Sequence, residues 1–143
     1  MVDSPYLHKL EKFDTIGGEV LRAFRASDKG FDGFEEAYFS SIQFRVVRGW
    51  KRHNKMTLNL VVPIGKIRFA VATQAHSRST PIIKEYVLSR EGYNRLTVPP
   101  GNWLAFQGLS EGENLLLNVA NIVHCKSEAD VVDIARFNFN WEK

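Results

Sequence analysis

The sequence predicts an all-β domain, a sandwich or barrel of the jelly-roll type. Two observations carry this. Short runs of β-branched and aromatic residues recur between Gly, Pro, Ser and Asn breaks, and within several of them apolar and polar residues alternate with period two. Many short strands at close spacing build sandwiches and barrels. The length, 143 residues, sets the scale at one ordinary domain.

Taken in chain order, a short helix is expected over His8 to Thr15, ended by Gly17-Gly18. Gly30 to Gly33 reads as an arm or lid, because no G-K-[ST] follows it to make a phosphate loop. Residues 1–33 then form an N-terminal arm and 34–143 the jelly-roll core of a single domain. Trp50 to Val62 holds no Gly or Pro and alternates as a strand would. Its even positions give a largely apolar row, and Lys51, His53, Lys55, Thr57 and Asn59 fall together on a polar row. Pro63-Ile64-Gly65 marks a turn. Lys66 to Thr73 alternates again, with Ile67, Phe69 and Val71 on one face. After a loop from Ser77 to Pro81, strands are expected at Ile82 to Leu88, Tyr93 to Val98, Trp103 to Gln107 and Leu115 to Val119. Ser127-Glu128-Ala129-Asp130 resembles a capping box opening a short C-terminal helix. A last strand is expected from Phe137 to Trp141.

Composition excludes several classes. At 44% hydrophobic and a net charge of +3 the chain is not disordered. Its single cysteine, Cys125, excludes a disulfide scaffold. No apolar run is long enough to span a membrane, and the N-terminal MVDSPYLHKLEKFD is too polar for a signal peptide. A cytoplasmic address follows, where a lone thiol stays reduced. Nucleic acid is not an expected partner, because sixteen acidic residues are spread along the chain and no RNP-like or helix-turn-helix pattern occurs.

The densest chemical signal is Arg45, Arg48, Lys51, Arg52, His53 and Lys55, six basic side chains in eleven residues. An anion site, most economically a phosphate or pyrophosphate, competes here with a solvated basic strand edge. The shared polar row favours a pocket wall. His53 is the best single candidate for proton transfer, because lysines two residues away on either side depress its pKa and leave a neutral imidazole as a base. His8, His53, His76 and His124 form no H-x-H or H-x-x-x-H pair, so no metal site is expected. Cys125 beside His124 makes a poor nucleophilic pair, because adjacent strand residues point to opposite faces.

The order of these pieces resembles a cupin. Lys51-Arg52-His53 stands where a first cupin motif has H-x-H, Leu58 where it has Glu, and Gly65 where its closing glycine falls. Gly92, Pro99-Pro100-Gly101 and Leu104 occupy the places of the second motif. Glycine and proline spacing is kept while three of the four usual metal ligands are missing, so the chain resembles a metal-free cupin. Within cupins it is similar to the dTDP-4-dehydrorhamnose 3,5-epimerase family and its sugar-ketoisomerase relatives. The matching text is Val47-Arg48-Gly49-Trp50, the Val61 to Val71 strand pair around Gly65, Leu88-Ser89, Leu96-Thr97-Val98-Pro99-Pro100-Gly101, and a hydrophobic end at Trp141.

That resemblance implies a homodimeric jelly roll, without metal or other cofactor, acting on a dTDP- or CDP-linked 4-keto-6-deoxyhexose in surface-polysaccharide synthesis. Arg48 and Lys55 match substrate-holding positions, and Asn59 and Asn118 join them as candidate contacts. Trp103 and Phe106 are candidate walls for base or sugar stacking. The family's catalytic histidine falls on Lys51, with His53 at the second histidine of the ketoisomerases' R-G-x-H-x-H pattern. The family's catalytic tyrosine falls near Ile122, leaving His124 as the nearest titratable replacement. Asp133 lies where a histidine-orienting aspartate is expected. These departures keep a second reading open, a cupin that binds a nucleotide sugar or a protein partner without turnover.

Overall fold

Lys66–Thr73 shows how the sequence makes a sandwich. Ile67, Phe69 and Val71 point into one apolar layer, while Ala70 and Ala72 are buried in another on the opposite face. A strand covered on both sides must sit between a partner sheet and an outer layer. In a computed structural model describing residues 2–75 and 77–143, the strands are β1 (Tyr6–Lys9), β2 (Lys12–Thr15), β3 (Gly18–Leu21), β4 (Glu36–Ser41), β5 (Val47–His53), β6 (Leu58–Ile64), β7 (Lys66–Thr73), β8 (Ile82–Ser89), β9 (Asn94–Val98), β10 (Trp103–Gly108), β11 (Leu115–Ala120) and β12 (Ala129–Val131). His76 lies outside the described residues.

Two five-stranded antiparallel sheets result. The first runs β1-β9-β6-β11-β4 and the second β12-β5-β10-β7-β8. Consecutive strands often lie in different sheets, as a jelly roll requires, and the β6–β7 turn is closed by Gly65 at φ +80°. A Cβ there would collide with the Glu113 carbonyl oxygen. Between the sheets lies a core that includes Met56, Leu60, Ile67, Phe69, Val71 and Leu96. The outer face of the second sheet carries a separate layer, in which the C-terminal residues Phe137, Phe139 and Trp141 pack against Trp50, Ala70, Ala72 and Ala105.

The jelly roll is as expected, and four local expectations are corrected. His8 to Thr15 is not helical: β1 pairs with β9 from Tyr6↔Thr97 to Lys9↔Asn94, and β2 turns through Gly17 into β3. An isolated helix of that length is unstable alone, whereas the sheet edge supplies partners for its backbone. Trp50 to Val62 is two strands, interrupted at residues 54–57. Ser127-Glu128 opens only a 3-10 turn, Lys126–Glu128, followed by β12 and a second turn at Ile134–Arg136. Phe137 to Trp141 is not a strand; it holds to the second sheet through its rings instead of backbone pairing.

Trp50 is the anchor of that outer layer. It is fully buried, its Nε1–H donates to the Ile134 carbonyl at 3.0 Å, and Phe137 meets it edge-on at 5.2 Å. Trp50→Ala is expected to destabilise the fold by about 3–5 kcal/mol, measured by denaturant unfolding. Trp103→Ala, at a half-buried neighbour, should cost clearly less. Equal losses would contradict this account of the layer.

Candidate active site

A cavity of about 300 Å³ opens between the two sheets. Its second-sheet wall carries Arg48, Lys51 and His53 from β5, with Phe106 and Leu104 from β10. Strict alternation would put Arg48 on the face opposite to Lys51 and His53. A bulge removes the conflict: Lys51 pairs with Leu104 and Arg48 with Phe106, so Gly49 and Trp50 together face the single residue Ala105. Gly49 is required there, because a Cβ would lie 2.5 Å from that of Ala105. The bulge turns Trp50 outward and all three basic side chains inward.

A second break in alternation follows at residues 54–57, and Glu128 is its cause. One oxygen of this buried carboxylate meets His53 Nδ1. The other accepts the backbone N–H groups of Asn54 at 3.1 Å and Lys55 at 3.0 Å, with that of Met56 at 3.4 Å. Successive amides aimed at one anion form a nest, and β5 ends where it forms. Burial pushes the Glu128 carboxyl up, but hydrogen bonds from His53 and from these amides more than reverse that, holding it below the usual carboxylate value. His53 lies below its ordinary value of 6.5. Burial is the main cause, aided by Lys51 and His124 and opposed by the hydrogen bond and charge of Glu128. A neutral imidazole donating from Nδ1 to Glu128 leaves Nε2 as an acceptor on the cavity side.

The first-sheet wall supplies hydroxyls. Tyr38 and Ser40 on β4 line it beside Asn118 on β11, above a floor of Leu58, Leu60 and Leu116. Asn118 Nδ2 donates to the Tyr38 hydroxyl at 3.0 Å. No carboxylate lines the cavity among the described residues. At the mouth, Arg48 Nη2 donates to the Ser41 carbonyl at 2.7 Å and its guanidinium lies 5.4 Å from the Phe106 ring. A polar hollow lined by Ser41, Gln43, Arg48, Glu113 and Asn114 adjoins it.

Of the residues singled out by sequence, the cavity gathers His53, Lys51, Arg48, Phe106 and Asn118. Others lie elsewhere. Beyond the nest the parity flips, so Leu58 and Leu60 face inward while Asn59 faces out, where it binds Gly30, Arg95 and Thr97. The Gly30 loop is thereby fixed on the outer face, an arm and not a lid over the cavity. Lys55 is exposed and takes part only through its backbone N–H. Trp103 sits in the outer aromatic layer beneath the Arg52 guanidinium. His124 is exposed, with its backbone N–H on Glu36. Asp133 caps the turn at Ile134–Arg136 through Ala135 N–H and does not meet His53; Glu128 does. Cys125 is exposed against Ser127. Among the described residues no three His, Cys, Asp or Glu side chains converge as a metal site would need, and no helix is long and apolar enough to cross a membrane.

Sequence reasoning missed Tyr38, Ser40 and Glu128. The alternation of Glu36-Ala37-Tyr38-Phe39-Ser40 carried a signal for the first two. Locally Glu128 reads only as part of a capping box, which does not point to His53.

No protein-family model and no curated protein matches the sequence. Solved structures do. A dTDP sugar isomerase from Desulfovibrio desulfuricans G20 superposes with a TM-score of 0.90 at 29% identity, covering 98% of this chain and 92% of its own. This is the fold of the dTDP-sugar epimerases and isomerases. A dTDP-4-dehydrorhamnose 3,5-epimerase from Elizabethkingia anophelis aligns with a TM-score of 0.79 at 16% identity over 99% of this chain and 83% of that one. A sugar 3,4-ketoisomerase from Thermoanaerobacterium thermosaccharolyticum, solved in complex with TDP, gives 0.74 at 18% over 91% and 89%.

The dyad has a signature in stability. A carboxyl held below 4.5 and a histidine held below 6.5 both stabilise the fold above those values, and the contribution fades as pH falls through the folded-state pKa. Glu128→Gln should cost about 1.5–3 kcal/mol at neutral pH. Its deficit against wild type should shrink as pH falls below 4.5. Urea unfolding at several pH values measures both, and a deficit independent of pH would contradict the assignment.

Proposed function

We propose that the chain is an isomerase of nucleotide-linked keto-sugars, working by proton transfer next to the keto group. One observation carries this reading: His53, its Nδ1 on the Glu128 carboxylate, lines one cavity with Tyr38, Arg48 and Lys51, where no carboxylate joins them among the described residues. His53 Nε2 takes the proton from the carbon beside the ketone, and the C–H electrons pass into an enolate. Tyr38, which lines the opposite wall, returns a proton from the other face in epimerisation; return from His53 to the carbonyl carbon, with the proton of the adjoining hydroxyl passing to the former keto oxygen, gives ketoisomerisation. The cavity is small for a whole nucleotide sugar by the usual scale of ligand sites, roughly 300–1,000 Å³. The hexose therefore occupies it, with the diphosphate at Arg48 and the nucleoside toward the Ser41–Gln43 hollow. A dTDP sugar is favoured by the similarity to a dTDP sugar isomerase across nearly the whole chain.

The place we assign is cytoplasmic synthesis of an activated deoxysugar for a surface polysaccharide, the role that the resemblance to the epimerase family implies. We also assign a homodimer formed on the β4 side of the first sheet. Phe39 there is 64% exposed and Phe34 57% exposed, and β4 leaves a free edge. Phe39→Glu should convert it to a monomer in sedimentation; a wild-type monomer would refute the assignment.

The enzymatic test is solvent deuterium incorporation into TDP-4-keto-6-deoxyglucose, followed by NMR. Wild type should label the carbon next to the ketone, and His53→Asn should slow labelling by about 10²–10⁴-fold. The rate should fall as pH drops below 6.5 and the base becomes protonated. Saturable binding of dTDP without labelling would favour a binding protein, a reading encouraged by Lys51 and Ile122 at the family's histidine and tyrosine positions.

A further inference from the structure

We infer that Lys51 is the cation that holds the keto oxygen as the enolate forms, a catalytic role separate from that of the base. The inference rests on the isomerase reading of this cavity. Lys51 lines the cavity on β5, two residues before His53. Residues so spaced share a face and lie about 6.7 Å apart along the strand. That spacing lets one sugar ring present a C–H to the imidazole and the adjacent carbonyl to the ammonium.

Three features of the surroundings point to this role. First, among the described residues Lys51 enters no ion pair, whereas Arg52, facing outward on the same strand, is paired with Asp130 at 2.8 Å. Second, the Glu128 carboxylate is already engaged by His53 and the amides of Asn54, Lys55 and Met56. Third, Lys51 shares the cavity with apolar side chains, Leu58, Phe69 and Leu104 among them, and among the described residues no carboxylate lines it. A half-buried cation without an ion-pair partner, in a cleft between two sheets, interacts more strongly with an anion placed there than it would in open water.

The reaction makes such an anion. When His53 Nε2 removes the α-proton, the C–H pair becomes the C=C bond and the carbonyl π pair moves to oxygen. The ground-state ketone carries no charge there; the enolate carries one. Lys51 therefore binds the intermediate more tightly than the substrate, which is the condition for raising kcat instead of merely lowering KM. Arg48, at the mouth on the other side of the bulge, is left to the diphosphate, whose charge does not change during the step.

The test compares Lys51→Met, Lys51→Ala and Arg48→Ala by deuterium labelling and by calorimetric binding of dTDP. Lys51→Met should lower kcat for labelling about 10²–10³-fold, the loss typical of one oxyanion-binding group, with KM and dTDP affinity little changed. Arg48→Ala should weaken dTDP and raise KM. Added methylammonium should partly restore Lys51→Ala, as it would not for a residue that only supports the fold. Several results would overturn the assignment while leaving the isomerase reading intact: labelling that survives Lys51→Met, a dTDP affinity lost equally in Lys51→Met and Arg48→Ala, or a borohydride-trapped adduct showing Lys51 bonded to the sugar. Labelling that survives His53→Asn but not Lys51→Met would make Lys51 the base and overturn it as well. A wild type that binds dTDP and labels nothing defeats the isomerase reading and this inference together.

Discussion

The carboxylate of Glu128 holds together three things that lie far apart in sequence. It fixes the tautomer of His53, it ends β5 by drawing the amides of residues 54–56 toward itself, and it closes the crossing from the 3-10 turn at Lys126–Glu128 to β12. A buried carboxylate survives only if its lone pairs are satisfied by donors, because desolvating an ion without partners is very costly. Here the donors are one imidazole and consecutive backbone N–H groups, which no substitution of Asn54, Lys55 or Met56 short of proline removes. The strand break is thus the structural requirement of the acid, and the parity flip that puts Leu58 and Leu60 on the cavity floor follows from it.

The same arrangement sorts charge between the two walls. Arg48, Lys51 and His53 all come from β5, whereas Tyr38, Ser40 and Asn118 come from the facing sheet. A bulge at Gly49-Trp50 is what brings residues of unlike parity onto one wall. One strand thereby presents Arg48, Lys51 and His53 in sequence to the cavity, while the opposite wall offers hydroxyls and an amide. A ligand that is anionic at one end and uncharged at the other fits this polarity in a single orientation.

How far the sequence could be read depended on how local each determinant was. The Lys66–Thr73 strand is legible from its alternation and the four strands after it from β-branched and aromatic runs bounded by Gly, Pro, Ser or Asn, all of which are local signals. His53 and Lys51 were legible as a shared face because no break separates them. Lys55, Thr57 and Asn59 were assigned to the same face wrongly, because the break before them is imposed by a residue about 70 positions later. Asp133 came only from the family resemblance, and Glu128 reads locally as part of a capping box, whereas here the glutamate is used across the fold. Trp103 was legible as an aromatic in a strand but not as outward-facing, since the outer layer that claims it is built from Phe137 and Trp141. The N-terminal helix failed because a sheet edge, invisible locally, was available to pair with it.

That outer layer also bears on His53, although it touches no part of the cavity. Trp50 and Val132 exchange backbone hydrogen bonds at 3.2 and 3.0 Å, and the Trp50 indole donates to Ile134. Each of these ties the C-terminal segment to β5 immediately beyond β12. β12 itself pairs Ala129 with His53 and Val131 with Lys51. The position of Glu128 relative to His53 is therefore set by the register of β12 on β5, and that register is held by the aromatic docking of residues 134–141 against the back of the same strand. Apolar burial is non-directional and tolerates small shifts; the indole hydrogen bond and the bulge do not. Burial on the outer face thus supplies the adhesion, while two directional features adjoining Trp50 convert it into a defined placement of the acid behind the histidine.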